Sequence, residues 1–235
     1  MAAKKKDGIG DIIRTVVYAV LIAVAFRALA FQPFNIPSQS MVPTLLVGDY
    51  LFVSKYSYGY SRHSLPFSPN IFSGRIFETR PARGDVAVFK TPEDNRTDYI
   101  KRIIGLPGDR IQTRDGVLYI NDKAVQREQV GKPIYYKGPT LQPVKVTEYR
   151  ETLSNGKSYN TYDEGHYPMA DNAGVYTVPK GKYFMMGDNR DNSSDSRFRA
   201  VGFVPAENLV GRAEILFFSH KGWRPRFDRF FDRIE

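Results

Sequence analysis

Phe34-Asn35-Ile36-Pro37-Ser38-Gln39-Ser40-Met41-Val42-Pro43-Thr44-Leu45-Leu46-Val47-Gly48-Asp49 places two hydroxyls two residues apart, between two prolines and among apolar side chains. Proline fixes φ and biases the residue before it towards extended geometry. Asn35-Ile36-Pro37 is therefore expected to be extended, and Pro43 to limit any helix running through Ser40. In an extended segment, side chains i and i+2 point the same way. Ser38 and Ser40 are thus expected to face one cleft, with Gln39 facing away. Read alone, the stretch is a serine-rich turn leading into the strand Tyr50-Leu51-Phe52-Val53.

Two further stretches bear on the first. Tyr99-Ile100-Lys101-Arg102-Ile103-Ile104-Gly105-Leu106-Pro107-Gly108-Asp109 reads as a strand ending in a Pro-Gly turn. Lys101 sits inside its apolar part, and Arg102 points the opposite way. A lysine on the buried side of a strand is costly unless it is paired or neutral; the simpler alternative is a lysine snorkelling to an edge. Met185-Met186-Gly187-Asp188-Asn189-Arg190-Asp191-Asn192-Ser193-Ser194-Asp195-Ser196-Arg197 is dense in polar groups directly after an apolar run. Asp191, Ser193 and Asp195 have the first spacings of a calcium loop. Position six is Ser196 instead of Gly and position twelve is Gly202 instead of Glu, so the pattern fails and no metal is expected.

The chain has 235 residues, 42% hydrophobic and 14% aromatic, with 19 Gly and 15 Pro, a composition that suits a β-rich protein with many turns. Cysteine is absent, which excludes disulfides and thiolate metal sites. The formal net charge of +9 fits nucleic acid or an anionic membrane surface. The first residues favour the membrane. Lys4-Lys5-Lys6 precede the largely apolar stretch Ile12 to Phe31. A helix of about 20 residues spans roughly 30 Å, one hydrocarbon thickness. Arg14 and Arg27 lie near its ends, where they can snorkel. No Lys or Arg follows between Phe31 and Ser54. The positive-inside rule then puts residues 1–11 in the cytoplasm, a span at 12–31, and residues 32–235 outside. Ala28-Leu29-Ala30 also allows a cleaved signal peptide, against which Arg27 argues.

Further strands are expected at 50–56, 85–89, 99–104 and 209–219, with a hairpin of 110–113 and 117–120 about Asp115-Gly116. Residues 57–83, with scattered Gly and Pro, read as a long exposed loop or hairpin. Residues 121–174 are polar and Tyr-rich, with weak alternation at 144–149 and 158–162. Ser154-Asn155-Gly156-Lys157 matches an S-x-x-K signature, but no K-T-G follows and an Asn-Gly turn explains it. His63, His166 and His220 share no block with Ser40. Trp223, Phe227, Phe230, Phe231 and Ile234, interleaved with four arginines, recur at near-helical spacing; they read as a basic amphipathic segment or as a terminal helix packed on the core.

The blocks Pro37 to Leu45, Arg83 to Phe89, Tyr99 to Asp109, and Gly187 to Arg197 with Gly202-Phe203-Val204-Pro205 resemble, in order, those of the bacterial type I signal peptidases. The resemblance implies a mainly β protein. An antiparallel catalytic sheet, about 32–120 and 175–235, would carry an inserted, smaller, non-catalytic β-subdomain at 121–174 and follow one transmembrane helix. Many members carry two spans before the serine; this chain has room for one. The implied activity is a membrane-anchored serine endopeptidase that removes signal peptides from exported preproteins after A-x-A-like sites. Its partners would be preproteins and the lipid bilayer, with no nucleic acid and no cofactor, and its place the bacterial inner membrane. Ser40 is implied as nucleophile, Lys101 as general base, and Ser38 with the Ser40 N–H as the oxyanion hole. Ser193 would orient Lys101. Asp188 would hold Arg102, and Asp195 would pair with Arg197. Phe34, Ile36, Met41, Leu45 and Ile100 would line shallow apolar pockets suited to alanine. Gln39, often Gly in the family, is expected to matter little. Burial among Ile36, Met41, Ile100 and Ile103 would lower the Lys101 pKa. The alternatives are a self-cleaving Ser/Lys regulator, whose DNA-binding helices would have to stand where the apolar stretch is, and an inactive binding module on the same fold.

Overall fold

A computed structural model describes residues 8–66, 68–138, 140–165 and 168–235. Residues 1–7 and His166 lie outside these, as does most of the expected cytoplasmic segment. The chain opens with helix α1, Ile9–Leu29. Strands follow as β1 Phe31–Asn35, β2 Asp49–Ser54, β3 Val86–Lys90, β4 Asp98–Gly105, β5 Arg110–Arg114, β6 Val117–Ile120 and β7 Lys123–Ala124. Next come β8 Gln126–Gly131, β9 Ile134–Lys137, β10 Gln142–Lys145, β11 Thr147–Thr152 and β12 Ser158–Asp163. After the short helix α2, Pro168–Asp171, the chain closes with β13 Tyr176–Thr177, β14 Lys182–Met186, β15 Val204–Pro205, β16 Leu209–Lys221 and β17 Arg224–Pro225.

The main sheet runs β1-β2-β16-β3-β4-β14-β15, with β17 on the end of β16, and every neighbour pair is antiparallel. Long-range pairing thus draws residues as far apart in the chain as β1 and β16 into one sheet. Its central strands are buried: β3 reads Val86, Ala87, Val88 and Phe89 in succession, and Ile103 and Ile104 close β4. Such runs, apolar on both faces, are what a doubly covered strand needs. The alternating β2 packs Leu51 and Val53 against Met41, Leu45, Val210 and Leu216. The β5–β6 hairpin turns at Asp115 (φ 47°) and Gly116 (φ 73°), the two left-handed positions that a tight two-residue turn requires. Strands β5, β6, β7 and β13 form a separate small sheet, and residues 126–163 pair as β12-β11-β8 and as the β9–β10 hairpin.

Several expectations change. Helix α1 begins earlier than residue 12 and gives way to β1 at Phe31. With Asp11, Arg14 and Arg27 within it, no helix among the described residues is long and apolar enough to cross a membrane. The C-terminal aromatic and basic residues do not form a helix. They make β17 and one 3-10 turn, Phe227–Arg229. Asp49 explains why. Wholly buried, it accepts from Arg226 at 3.2 Å and from Arg229 at 2.7 Å, so the arginines point inward and fix an irregular path. The 57–83 segment is tied down by two 3-10 turns and a Tyr60–Ile76 bridge. Lys157 of the S-x-x-K match pairs with Asp85 at 2.6 Å, a structural contact.

Candidate active site

Ser40 follows β1 on a series of turns instead of the expected extended segment; the Leu45 N–H closes back on the Met41 carbonyl at 2.9 Å. The two hydroxyls nevertheless face one side, with Ser38 Oγ and Ser40 Oγ 3.3 Å apart. Lys101 comes from β4, where its Cα partner on β3 is Ala87. Alternation sends Lys101 to one face and Arg102 to the other. Lys101 Nζ donates to Ser40 Oγ at 2.6 Å and to the Ile100 carbonyl at 3.1 Å. Both residues are nearly closed to solvent, Ser40 at 8% and Lys101 at 4% exposed. Burial lowers the Lys101 pKa to about 8; the carboxylates of Asp195 and Asp188 only partly oppose it.

The loop after β14 backs this pair. The Asn189 N–H donates to the Ser40 carbonyl at 3.1 Å, and Asn189 Nδ2 to the Gln39 carbonyl at 3.1 Å. Gly187 packs so closely that a Cβ there would stand 2.4 Å from the Ser40 carbonyl oxygen and 2.3 Å from Ser193 Oγ. The Ser40 N–H has no acceptor among the described residues and stays free for a ligand.

Behind the pair lie two buried forks. Arg102 donates through Nε and Nη2 to Asp188 at 2.9 and 2.8 Å, and its guanidinium stacks 4.0 Å over the Tyr159 ring. Thr44 Oγ1 donates to the same carboxylate at 2.5 Å, linking the fork to the turn that follows Ser40. Arg197 donates to Asp195 through Nε and Nη2, both at 2.9 Å. Burial pushes the Asp195 carboxyl up, but the Arg197 charge and hydrogen bonds outweigh it and the net shift is downward. Ser193 differs from expectation. Its hydroxyl makes no hydrogen bond to Lys101 and none of normal geometry elsewhere, although it lies close enough to Asp195 to help hold that carboxyl low.

The serine–lysine pair opens on a cleft of about 1190 Å³, with Phe34, Ile36, Val88, Tyr99 and Ile100 among its walls. Met41 and Leu45 are fully buried in the core and do not line it, a correction to the expected apolar pockets. Their place beside Ser40 in sequence does not put them on its face, because the turn at 41–45 directs them inward. Gln39, expected to face away, borders the same cleft as the two serines and is engaged there. Its amide bonds the Tyr136 carbonyl, and its carbonyl oxygen accepts from the Gly138 N–H at 2.9 Å. That ties the β9–β10 hairpin to the serine loop and makes Tyr136 part of the cleft. The hairpin had no catalytic signature by which to find it. No cluster of metal-ligating side chains occurs among the described residues.

The model of a family described as signal peptidase, peptidase S26, matches residues 9–218. The chain belongs to that family. A signal peptidase I of Rickettsia typhi is 46% identical over 212 residues, 87% of this chain and 78% of the relative. One from Rickettsia massiliae is 46% identical over 213 residues, again 87% and 78%. The crystal structure of a signal peptidase I from Enterococcus faecalis V583 is 29% identical with a TM-score of 0.34, covering 57% of this chain and 97% of that one. As a member of the family, the chain is a hydrolase that removes signal peptides from exported preproteins.

Proposed function

We propose that Ser40 is the nucleophile of this peptidase and Lys101 its general base. The observation that carries the reading is the 2.6 Å contact between Lys101 Nζ and Ser40 Oγ in a buried site. With a pKa of about 8, about a tenth of the lysine is neutral at pH 7, against roughly one in 2,500 for an ordinary lysine. Neutral Nζ takes the hydroxyl proton as Oγ attacks the carbonyl carbon of the scissile bond. The same proton passes to the leaving amine, and an acyl-enzyme remains. Water, deprotonated by Lys101, then releases the cleaved signal peptide. The developing oxyanion is met by the free Ser40 N–H and by Ser38 Oγ; each such donor is typically worth about 3 kcal/mol of barrier. The Asp188–Arg102 and Asp195–Arg197 forks hold the surrounding backbone in place. Phe34, Ile36 and Ile100 give the cleft the shallow apolar walls that fit small residues of an A-x-A-like site. Residues 121–174 form a non-catalytic subdomain.

We also infer that α1 is a single-pass anchor, with the N-terminus cytoplasmic and the peptidase outside. Its apolar side chains are exposed, Ile12, Val16, Val20 and Ile22 each by more than half. Its charges lie towards the ends, where Arg14 bonds the Tyr18 hydroxyl at 3.1 Å and has length to reach headgroups. The test is cleavage of a preprotein by the purified chain. Ser40→Ala and Lys101→Arg are expected to abolish product while both remain folded, since arginine cannot give up its proton. Activity in a folded Lys101→Arg protein would assign the base elsewhere.

A further inference from the structure

A second cavity, of about 580 Å³, lies where α1 meets the sheet. Val24 and Arg27 of α1, His63 of the 57–83 segment, and Lys90, Arg96 and Asp98 of the β3–β4 hairpin are among its walls. Of these only Asp98 also borders the peptidase cleft. Its charge is one-sided. Asp98 is the single acid and is taken by Lys90, at 2.9 Å. The guanidinium groups of Arg27 and Arg96 have no acidic partner among the described residues. Burial, and then the Arg27 charge against the opposing Asp98, hold the nearby Lys55 down to about 8.

His63 adds an independent sign of a ligand. It is 5% exposed, and its Nε2 lies 3.2 Å from Arg62 Nε. An arginine N–H can only donate, so Nε2 carries the lone pair and the ring proton sits on Nδ1. Burial and then the Arg62 charge lower the ring's pKa, against an upward pull from Glu207. Nδ1–H is then a buried donor, and it has no acceptor among the described residues. A buried donor left unmade is costly, and native structures satisfy nearly all of them. A cavity that shares the imidazole and the two guanidinium groups among its walls offers donors and positive charge with little to accept. That chemistry fits a phosphate, whose several oxygens accept charge-assisted bonds.

We propose that this cavity binds the phosphate of an anionic lipid headgroup. A lipid is favoured over free phosphate because α1 itself supplies part of the wall, through Val24, and the exposed apolar side chains of Val16, Val20 and Leu21 run away from it along the same helix. Acyl chains can lie on that surface while the phosphate enters the basic end. The proposal rests on α1 lying in the bilayer. It makes the headgroup a clamp between the anchor and the β3–β4 hairpin, whose second strand carries Lys101.

The test uses the full chain in a maltoside detergent, with 15N-labelled histidine. Dihexanoyl phosphatidylglycerol, dihexanoyl phosphatidylcholine and inorganic phosphate are titrated separately while the His63 imidazole resonance is followed. Phosphatidylglycerol is expected to shift it saturably. Arg27→Gln with Arg96→Gln should weaken that binding at least tenfold and leave cleavage of a soluble peptide substrate unchanged without lipid. An absent shift, or unaltered binding by the double variant, overturns the site. Equal binding of phosphatidylcholine or of inorganic phosphate overturns the assignment to an anionic lipid. Flotation of the chain with phosphatidylcholine liposomes reports the anchor separately. Retained flotation without a His63 shift refutes this site alone, and lost flotation with a normal titration refutes the clamp while leaving the dyad untouched.

Discussion

Replacing Gly187 by alanine tests how tightly the serine is positioned. Gly187 has no positive φ to preserve, so the substitution acts through space alone. The new Cβ would stand 2.4 Å from the Ser40 carbonyl oxygen and 2.3 Å from Ser193 Oγ. Comfortable separation for such atoms is about 3.5 Å, so one side must move by roughly 1 Å. The Ser193 hydroxyl can rotate, but its Cβ, 2.6 Å from the new one, moves only with its backbone, and the Ser40 carbonyl is backbone held by the Asn189 N–H at 3.1 Å. Relief therefore displaces Ser40, the proposed nucleophile. A 1 Å shift would stretch the 2.6 Å Lys101–Ser40 contact beyond hydrogen-bond range. A misplacement of that size costs about a hundredfold in rate. The assay is kcat/KM on a preprotein, with thermal unfolding to show that the fold survives. Gly174→Ala is the control, since an added Cβ there meets nothing within 4 Å. A folded Gly187→Ala protein within threefold of the parent rate would refute the claim that this backbone contact sets the geometry.

Other consequences follow from the buried charges and the hairpin. Asp188→Asn leaves the Arg102 guanidinium buried without its counter-charge and should cost about 3–5 kcal/mol of stability, read from the shift in urea midpoint. Gln39→Ala removes two bonds to the β9–β10 hairpin and should raise hydrogen exchange of its amides about fivefold, near 1 kcal/mol for exposed contacts, with the sheet strands unchanged.

Local pattern made the central strands legible. The apolar runs of β3 and β4 and the Asp115-Gly116 turn sit within a residue or two of where periodicity and turn chemistry place them. The opposed directions of Lys101 and Arg102 follow from strand alternation alone. What sequence spacing could not supply was long-range. Asp49 draws in Arg226 and Arg229 from about 180 residues away, and that contact decides against a terminal helix whose spacing looked regular. Gln39 meets Tyr136 across 97 positions, with no motif to announce it. Met41 and Leu45 take their pocket role from the resemblance alone, and the turn that holds them buries both side chains in the core. Ser193 carries a role by resemblance, to orient Lys101, and in this geometry its hydroxyl makes no hydrogen bond to that amine. The charge count of α1 was visible from the start, but the cavity at its foot needs the β3–β4 hairpin and the 57–83 segment folded beside it.

The most direct test of the serine–lysine account is the pH dependence of kcat/KM, which reports the base of the free enzyme. On that account Lys101 must be neutral to act, and its pKa is lowered from 10.5 to about 8 by burial. Activity should therefore rise about tenfold per pH unit below pH 8 and level off above it, with the limb well under the ordinary lysine value. A limb centred near 6.5, where an unperturbed histidine titrates, or a rate flat from pH 6 to 9, would contradict the assignment of Lys101 as base.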